Sequence, residues 1–317
     1  FFIAILLSTF AYALQGIFMV RYIRSMDHLS AGMYRTLSLS ISMLPLLFLA
    51  GWENISQVLP FIPTLILAAV LGAVGQWTSF FAYQSLPVGT VQALGASSRV
   101  IGLIILGVLY FGDQVTGEQY FWMAGIIIAT SLLAMAKNHM PHLDTKVISG
   151  IIWEVISGFL VALAFFFMGK VSKELDPFVS AYFWETFIGI TSFLIAFTRQ
   201  SFGGKKLEKI SLKTFKRILL VCSPTMVGTG GFAYAVTIGP IGLASAIGTA
   251  GIPLTTLMAH YLYHEKLTRT QWFWIWMTVV TIAGLKLSLN HPQPLFKKEG
   301  RLIYIFSPQY ELQSMKT

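Results

Sequence analysis

The chain has 317 residues, of which 55% are hydrophobic and only 11% are charged, about half of the roughly 25% typical of a soluble domain. So few charges cannot cover the outside of a soluble fold, and this composition also excludes a disordered or nucleic-acid-binding chain, although 22 Lys and Arg outnumber 13 Asp and Glu. A single cysteine, Cys222, excludes an internal disulfide framework and a multi-cysteine metal site. The composition therefore predicts a polytopic membrane protein.

Apolar runs long enough to cross a bilayer recur along nearly the whole chain. A helix rises 1.5 Å per residue, so a hydrocarbon core of about 30 Å takes about 20 residues. The runs are continuous rather than alternating in polarity, which favours helices over a β-barrel. The chain begins at Phe1 inside or at the edge of such a run, and we expect further residues to precede it. The predicted helices lie near residues 1–20, 30–50, 60–83, 88–110, 119–136, 148–169, 178–198, 217–236, 240–263 and 270–289.

The two halves of the chain resemble each other at an offset of 149 to 153 residues. An ordered series of matches at nearly one offset indicates an internal repeat. The matched segments are Ser8-Thr9-Phe10 with Ser157-Gly158-Phe159, Phe81-Ala82-Tyr83 with Phe232-Ala233-Tyr234, and Gln119-Tyr120-Phe121-Trp122 with Gln271-Trp272-Phe273-Trp274. Basic residues and an aspartate, Arg21, Arg24 and Asp27, likewise match Lys170, Lys173 and Asp176.

Each half carries five predicted helices, so the second half crosses the membrane upside down relative to the first. Inverted repeats with a site at their interface are a recurring transporter architecture. We therefore predict an all-α integral membrane fold of ten transmembrane helices in two inverted five-helix repeats. The first repeat takes residues 1–137, a linker 138–147, the second repeat 148–290, and a weakly ordered tail 291–317, in which 302–306 reads as a strand or an interfacial anchor.

A short motif occurs after the fourth helix of each half, as Gly112-Asp113-Gln114-Val115-Thr116 and as His264-Glu265-Lys266-Leu267-Thr268. With the five-plus-five helices and Arg35 in helix 2, it resembles the drug/metabolite transporter superfamily, specifically its EamA-domain family, over about residues 1–290. The resemblance implies ten helices that move small solutes by alternating access, and it implies no enzyme activity. The family usually has a proline, followed by bulky apolar residues, in the fourth helix of the second copy. Pro253 fits this pattern, whereas the first copy has Ser97-Ser98-Arg99 at that place.

Only four charged residues, Arg35, Arg99, Glu154 and Glu185, fall well inside predicted spans. A charge near the bilayer centre costs at least about 2.5–3.5 kcal/mol, so such residues usually face protein or water. Arg35 and Glu185 hold corresponding places in the repeat, as Tyr34-Arg35-Thr36 and Trp184-Glu185-Thr186. Each either forms an ion pair or hydrogen bonds that fix helix packing, or contacts the solute or protons directly. Arg99 either holds an anionic group or neutralises one of the glutamates.

Glu154 lies in the sequence Trp153-Glu154-Val155-Ile156. This resembles the first helix of small multidrug resistance proteins, relatives in the same superfamily, where a membrane carboxylate takes protons and cationic drug. The alternative is an interfacial carboxylate reached by water. On the first interpretation, Glu154 is a candidate for coupling transport to protons.

Several aromatic residues within the spans are candidate cavity rings that stack on a flat or cationic solute. The candidates are Trp77, Tyr83, Trp153, Trp184 and Tyr234. Of these we single out Trp77, Tyr83 and Tyr234, with Trp77 the best candidate because it stands between Gln76 and Thr78. The alternative for such rings is anchoring at the membrane interface.

The predicted function is secondary transport of a small organic solute, a metabolite or drug-like compound, by alternating access. The sequence holds no ATP-binding motif, no catalytic constellation and no metal or cofactor site, so the driving force is an ion gradient, exchange or the solute's own gradient. The alternatives are a lipid-type flippase and a non-enzymatic membrane scaffold. The expected partners are the solute, protons or a counter-solute, and the lipid bilayer, with no nucleic acid; we expect the inner (plasma) membrane of a prokaryote.

The distribution of basic residues predicts the orientation. Loops on the side of the loop between helices 7 and 8 carry 13 Lys and Arg, seven of them in that loop, and the other side carries 7 including the tail. Short loops rich in Lys and Arg stay in the cytoplasm. We therefore predict that loop 7–8 is cytoplasmic and that both ends of the ten-helix core face outward, whereas members of the resembled family commonly keep both ends inside.

Overall fold

The computed structural model describes residues 1–86, 88–136, 145–202, 206–264 and 266–289. Most of the predicted linker, the tail 291–317 with its run 302–306, and Glu265 of the second motif lie outside these residues. Within the described ranges, ten helical segments are long and apolar enough to cross a membrane, and the prediction of ten spans is confirmed.

The ten helices follow one another with short connections. In chain order they are α1 (Phe2–Ser25), α2 (His28–Ser42, continued as Pro45–Ala50), α3 (Ile62–Tyr83, after the short helical turns Trp52–Ile55 and Ser56–Phe61), α4 (Val88–Leu106, ending in the π-helical turn Gly107–Phe111), α5 (Gly117–Met135), α6 (Thr145–Glu174), α7 (Pro177–Ser201), α8 (Leu212–Cys222, continued as Thr225–Ile238), α9 (Ile241–Gly248, continued as Gly251–Tyr263) and α10 (Arg269–Leu289).

Three of the spans are interrupted helices, a feature that hydropathy does not predict. Helix α2 restarts at Pro45, and α8 breaks next to Pro224. Proline lacks a backbone N–H and its ring clashes with the preceding turn, so the hydrogen-bond ladder is broken at these points. Helix α9 breaks before Gly251, where residues of both parts line the cavity described below.

Two matched capping boxes start the fifth helix of each repeat. Gln119 N–H donates to Thr116 Oγ1 at 3.2 Å while Thr116 N–H donates to Gln119 Oε1 at 3.1 Å. Gln271 and Thr268 make the same pair of bonds at 3.2 and 2.9 Å. Each box satisfies two helix-terminal donors, which explains why the threonine of the motif and the glutamine three residues later recur.

The matched aspartates also begin helices. Asp27 accepts from Ser30 N–H at the start of α2, and Asp176 accepts from Phe178 and Val179 N–H at the start of α7. An aspartate at this position satisfies donors that the helix itself leaves unpaired. These members of the repeat therefore specify helix starts.

The helices pack in a pattern that is largely preserved when the two repeats are exchanged. Helix α3 packs along α6 as α1 packs along α8, and α4 packs on α6 as α9 packs on α1. Helices α2 and α7 pack against each other, as do α5 and α10, so that corresponding helices of the two repeats pair. The first helix of each repeat thus lies against the third helix of the other, as two inverted five-helix repeats require.

Matched serines bond the repeats together. Ser8 Oγ donates to Gly228 O at 2.6 Å, and Ser157 Oγ donates to Gly75 O at 2.7 Å. Glycine allows the close approach of α6 to its neighbour α4: a Cβ added at Gly158 would lie 2.5 Å from Ser98 Cβ. Small residues at such crossings are typical of helix packing in membranes.

Candidate solute-binding cavity

A cavity of about 470 Å³ lies between the two repeats. Its volume is in the range of small-molecule sites. Its lining residues come from α1, α2, α3, α4, α6, α7, α8 and α9, and in the described part of the chain none comes from α5 or α10. The cavity therefore occupies the interface between the repeats.

The cavity opens toward one end of the bundle. We call the end where α1 begins end A and the end where α1 finishes end B, so that odd-numbered helices run from A to B. The lining residues closest to end A, Ile5, Leu103 and Ser245, are buried. Toward end B, Gln92 is exposed and Gly16 is half-buried. In this structure the cavity is thus accessible from end B.

The four charged residues that fall well inside the spans, Arg35, Arg99, Glu154 and Glu185, all line this one cavity. Arg35 and Arg99 belong to the first repeat, whereas Glu154 and Glu185 belong to the second. Among the described side chains, none of these four groups lies within 4.0 Å of a group of opposite charge. Among these residues no direct ion pair fixes the helix packing, and the two carboxylates are held by hydroxyl donors instead.

Glu185 accepts from a chain of two hydroxyl groups. Thr229 Oγ1 donates to Glu185 Oε1 at 2.7 Å, and the Tyr12 hydroxyl lies 2.7 Å from the same Thr229 oxygen. A hydroxyl has one proton to donate, so Tyr12 donates to Thr229 while Thr229 donates to the carboxylate. The chain connects α1 of the first repeat to α7 and α8 of the second.

Glu154 is held between α3, α4 and α6. Ser79 Oγ donates to its Oε2 at 2.7 Å, and the residue is 4% exposed. Its Oε1 occupies the space beside Gly95, where an added Cβ would overlap that oxygen. Gly95 therefore makes room for the carboxylate.

The arginines have fewer contacts than the glutamates. The Arg99 guanidinium lies over the Phe165 ring, with its central carbon 5.9 Å from the ring centroid. In the described part of the chain, no hydrogen bond from either guanidinium to another side chain or to the backbone is formed. Both cations line the cavity with donor groups free to bind a solute.

Of the candidate rings, Trp184 lines the cavity, whereas the three rings singled out from the sequence do not. Trp77, Tyr83 and Tyr234 are not among the described lining residues, and Tyr83 and Tyr234 are 39% and 44% exposed. Tyr234 instead stacks on Phe178, with ring centroids 6.4 Å apart. The position of a ring along a span does not reveal which face of the helix carries it.

The rings that do line the cavity are Tyr12, Phe165, Trp184 and Phe232. Phe165 packs edge-on against Trp184 and Phe232, with centroids 5.0 and 4.8 Å apart. Edge-to-face rings at these separations are favourable beyond the area that they bury. They form a rigid apolar wall opposite the polar groups.

End A is closed by contacts of the first motif. Asp113 Oδ2 accepts from the backbone N–H of Ile241 at 2.9 Å, and Lys173 Nζ lies 4.0 Å from Asp113 Oδ1. Lys173 also lies 4.0 Å from the centroid of the Phe111 ring. Burial raises the pKa of Asp113, while the Ile241 bond and Lys173 act in the opposite direction. We call Asp113, Lys173 and Ile241 the end-A closure.

Ten apolar helices in inverted repeats around a charged cavity define an integral, multi-pass membrane protein of transporter architecture. The protein-family model described as "EamA-like transporter family" matches residues 2–135 and 148–287 of the chain. The chain belongs to this family of the drug/metabolite transporter superfamily, whose members are transporters and not enzymes. The resemblance seen in the sequence is thereby confirmed.

One solved structure, described as "Crystal structure of protein", shares the fold. It is 12% identical and aligns with a TM-score of 0.71 over 91% of this chain and 99% of its own. This similarity shows the architecture alone. No curated protein matches the chain.

Proposed function

We propose that the protein is a secondary transporter that moves a small organic solute with ionised groups across a membrane by alternating access. The observation that carries this proposal is the cavity between the inverted repeats, accessible from end B and shut at end A by the end-A closure. A cavity open at one end only is what one state of such a cycle requires. Exchanging the packing of the two repeats would open the other end.

The cavity chemistry favours a polar solute. Arg35 and Arg99 are permanently charged and would bind an anionic group, whereas Glu154 and Glu185 would bind a cationic group or take up protons. A purely apolar solute would displace water from these groups and leave them unpaired, at a cost of several kcal/mol per ion. A soluble metabolite therefore fits this site better than the apolar body of a lipid.

Glu185 is also the proposed coupling residue. When its carboxylate is ionised, Tyr12 and Thr229 both donate toward it; when it is protonated, the same chain can run in the reverse direction. Protonation therefore changes a hydrogen-bond chain that spans both repeats. In this proposal, Trp77, Tyr83 and Tyr234 lie outside the cavity and do not contact the solute.

We further propose that the repeats are residues 1–137 and 148–290 and that the protein resides in the inner membrane of a prokaryote. The basic loops are at end B, which we propose to be cytoplasmic. In the conformation described here, the cavity would then be accessible from the cytoplasm.

Counterflow in proteoliposomes tests the proposal. Vesicles loaded with one member of a panel of anionic, cationic, zwitterionic and neutral solutes are diluted into a trace of the labelled compound. We expect accumulation of at least one ionised class, lost in Arg99→Gln and retained in Lys170→Gln, a matched exposed cation on α6 away from the cavity. Accumulation of neutral apolar compounds only, unchanged in Arg99→Gln, would contradict the assignment.

A further inference from the structure

A dense group of basic residues surrounds the entry of α8 into the membrane at end B. We call it the basic patch; its described members, all exposed, are Arg199, Lys206, Lys209, Lys213, Lys216 and Arg217. In the described part of this segment one acidic residue, Glu208, lies among them. Its Oε1 accepts from Asp27 N–H at 2.9 Å. Six cations against one carboxylate leave the patch with a large positive excess.

The segment before α8 is fixed to the start of α2. Glu208 N–H donates to Ser30 Oγ at 2.9 Å, and the Tyr34 hydroxyl donates to Glu208 O at 2.8 Å. Together with the Asp27 bond, these contacts anchor Glu208, which lies between Lys206 and Lys209, to the start of α2. The patch is therefore presented in a defined position.

The first part of α8 has one buried and one exposed face. Ile218 and Cys222 are buried against Met19 and Leu39. Residues 213, 216, 217 and 220 lie on the opposite face and are exposed. Helical spacing thus directs the bases away from the bundle, toward the surroundings of α8.

The exposed face changes character with depth. Leu220 is 73% exposed, as expected for a side chain facing lipid tails. Lys213 precedes it by seven residues, or about 10 Å at 1.5 Å per residue, which places the bases at headgroup level. Phe202 and Leu212, which flank part of the patch, are 86% and 69% exposed and suit the boundary between headgroups and tails.

We propose that the basic patch binds the headgroups of anionic phospholipids in the leaflet at end B. Several cations on a fixed frame, flanked by exposed apolar side chains, match an anionic phosphate above an acyl chain. Each basic residue near an anionic membrane surface strengthens binding about fivefold. The bond network to α2 makes this a defined lipid site rather than a mobile charged loop.

Native mass spectrometry of the full chain tests the proposal. The protein is equilibrated with equal amounts of phosphatidylglycerol and phosphatidylcholine, and retained lipids are counted. We expect a preference for phosphatidylglycerol that falls at least about fivefold in the variant Lys213→Gln/Lys216→Gln/Arg217→Gln. High salt should weaken the preference because it screens exposed charges.

The control removes the same charge at the same end of the molecule. Lys146, Lys266 and Arg269 are exposed bases of other helices and loops at end B, and replacing all three with Gln should leave the preference unchanged. An equal loss in the control, or no preference in the unaltered protein, would overturn the proposal. Unfolding temperatures in phosphatidylcholine check that both variants fold, and the single substitutions replace the triple variant if it does not.

Discussion

Asp113 accepts a 2.9 Å hydrogen bond from the backbone N–H of Ile241, and this bond joins the loop after α4 to the start of α9. The two residues belong to different repeats, so the bond must break if end A opens. An unpaired buried N–H costs about 1–3 kcal/mol. The Lys173 pair is weaker, because at 4.0 Å and with 30% of the lysine side chain exposed it is worth at most about 1 kcal/mol.

The first prediction separates these two contacts of the end-A closure. Asp113→Ala removes the acceptor, whereas Asp113→Asn keeps a carbonyl acceptor but loses the charge. In a Cys222→Ser background with Ser245→Cys as reporter, we expect an impermeant thiol reagent at end A to react about fivefold faster or more in Asp113→Ala. Asp113→Asn and Lys173→Gln should change the rate far less.

Equal labelling rates in Asp113→Ala and the unaltered chain would show that the closure does not hold end A shut. A rate in Asp113→Asn as high as in Asp113→Ala would instead assign the closure to charge. Ser245 suits the reporter because it lines the cavity near end A and is 3% exposed.

The second prediction concerns Glu185 and its hydroxyl chain. Glu185→Gln removes the titratable group and should alter the transport rate or its pH dependence without preventing insertion. Thr229→Val keeps the shape but leaves the carboxylate without its donor, so we expect a larger transport defect than in Tyr12→Phe, where Thr229 still donates. Glu174→Gln, an exposed carboxylate at the end of α6, is the matched control.

Transport kinetics in proteoliposomes over a range of internal and external pH check this prediction. Unchanged kinetics and pH profile in properly inserted Glu185→Gln would make the coupling role wrong. A defect of equal size in Glu174→Gln would point to surface charge instead.

The third prediction uses the space beside Glu154. In Gly95→Ala the new methyl group would overlap Glu154 Oε1, so the carboxylate must move and its bond to Ser79 is strained. We expect the apparent KM for the solute to rise about fivefold or more, and Ser79→Ala to shift it in the same direction. Gly117→Ala is the matched control, because no atom lies within 4 Å of its added Cβ.

A normal KM in Gly95→Ala would show that the position of the Glu154 carboxylate does not matter to solute binding. Helix stability does not confuse the result, since alanine is a better helix former than glycine. The unfolding temperature of each variant provides the check.

The sequence predicts the helices and their pairing well, because both follow from patterns that repeat. Hydropathy gives the ten spans, and the offset series gives the inverted repeats. Matched residues such as Asp27 and Asp176 turn out to be helix caps, a local role that needs only the neighbouring residues. The breaks in α8 and α9 are missed because an apolar run has the same hydropathy whether or not its helix is continuous.

Of the candidate site, the sequence predicts the four charged residues and one of the rings, Trp184. A charge inside a span is costly wherever it faces lipid. The residue types of Arg99 and Glu154 are therefore enough to indicate a polar interior. Their neighbours give no such indication: Ser79 and Tyr12 are ordinary helix residues whose roles depend on contacts between helices far apart in sequence. Ring orientation likewise depends on how each helix is rotated, which single-sequence patterns do not determine.

The last prediction is the orientation of the whole molecule. The patch residue Lys209 is exposed in loop 7–8 at end B, and the excess of 13 basic residues over 7 predicts that this end is cytoplasmic. Lys209→Cys in a Cys222→Ser background should therefore resist an impermeant maleimide in intact cells and react after the membrane is opened. Lys170→Cys at end A, also exposed, should react in intact cells. The reverse pattern would place both ends of the core in the cytoplasm, as is common among related transporters, and the cavity described here would then be accessible from outside the cell.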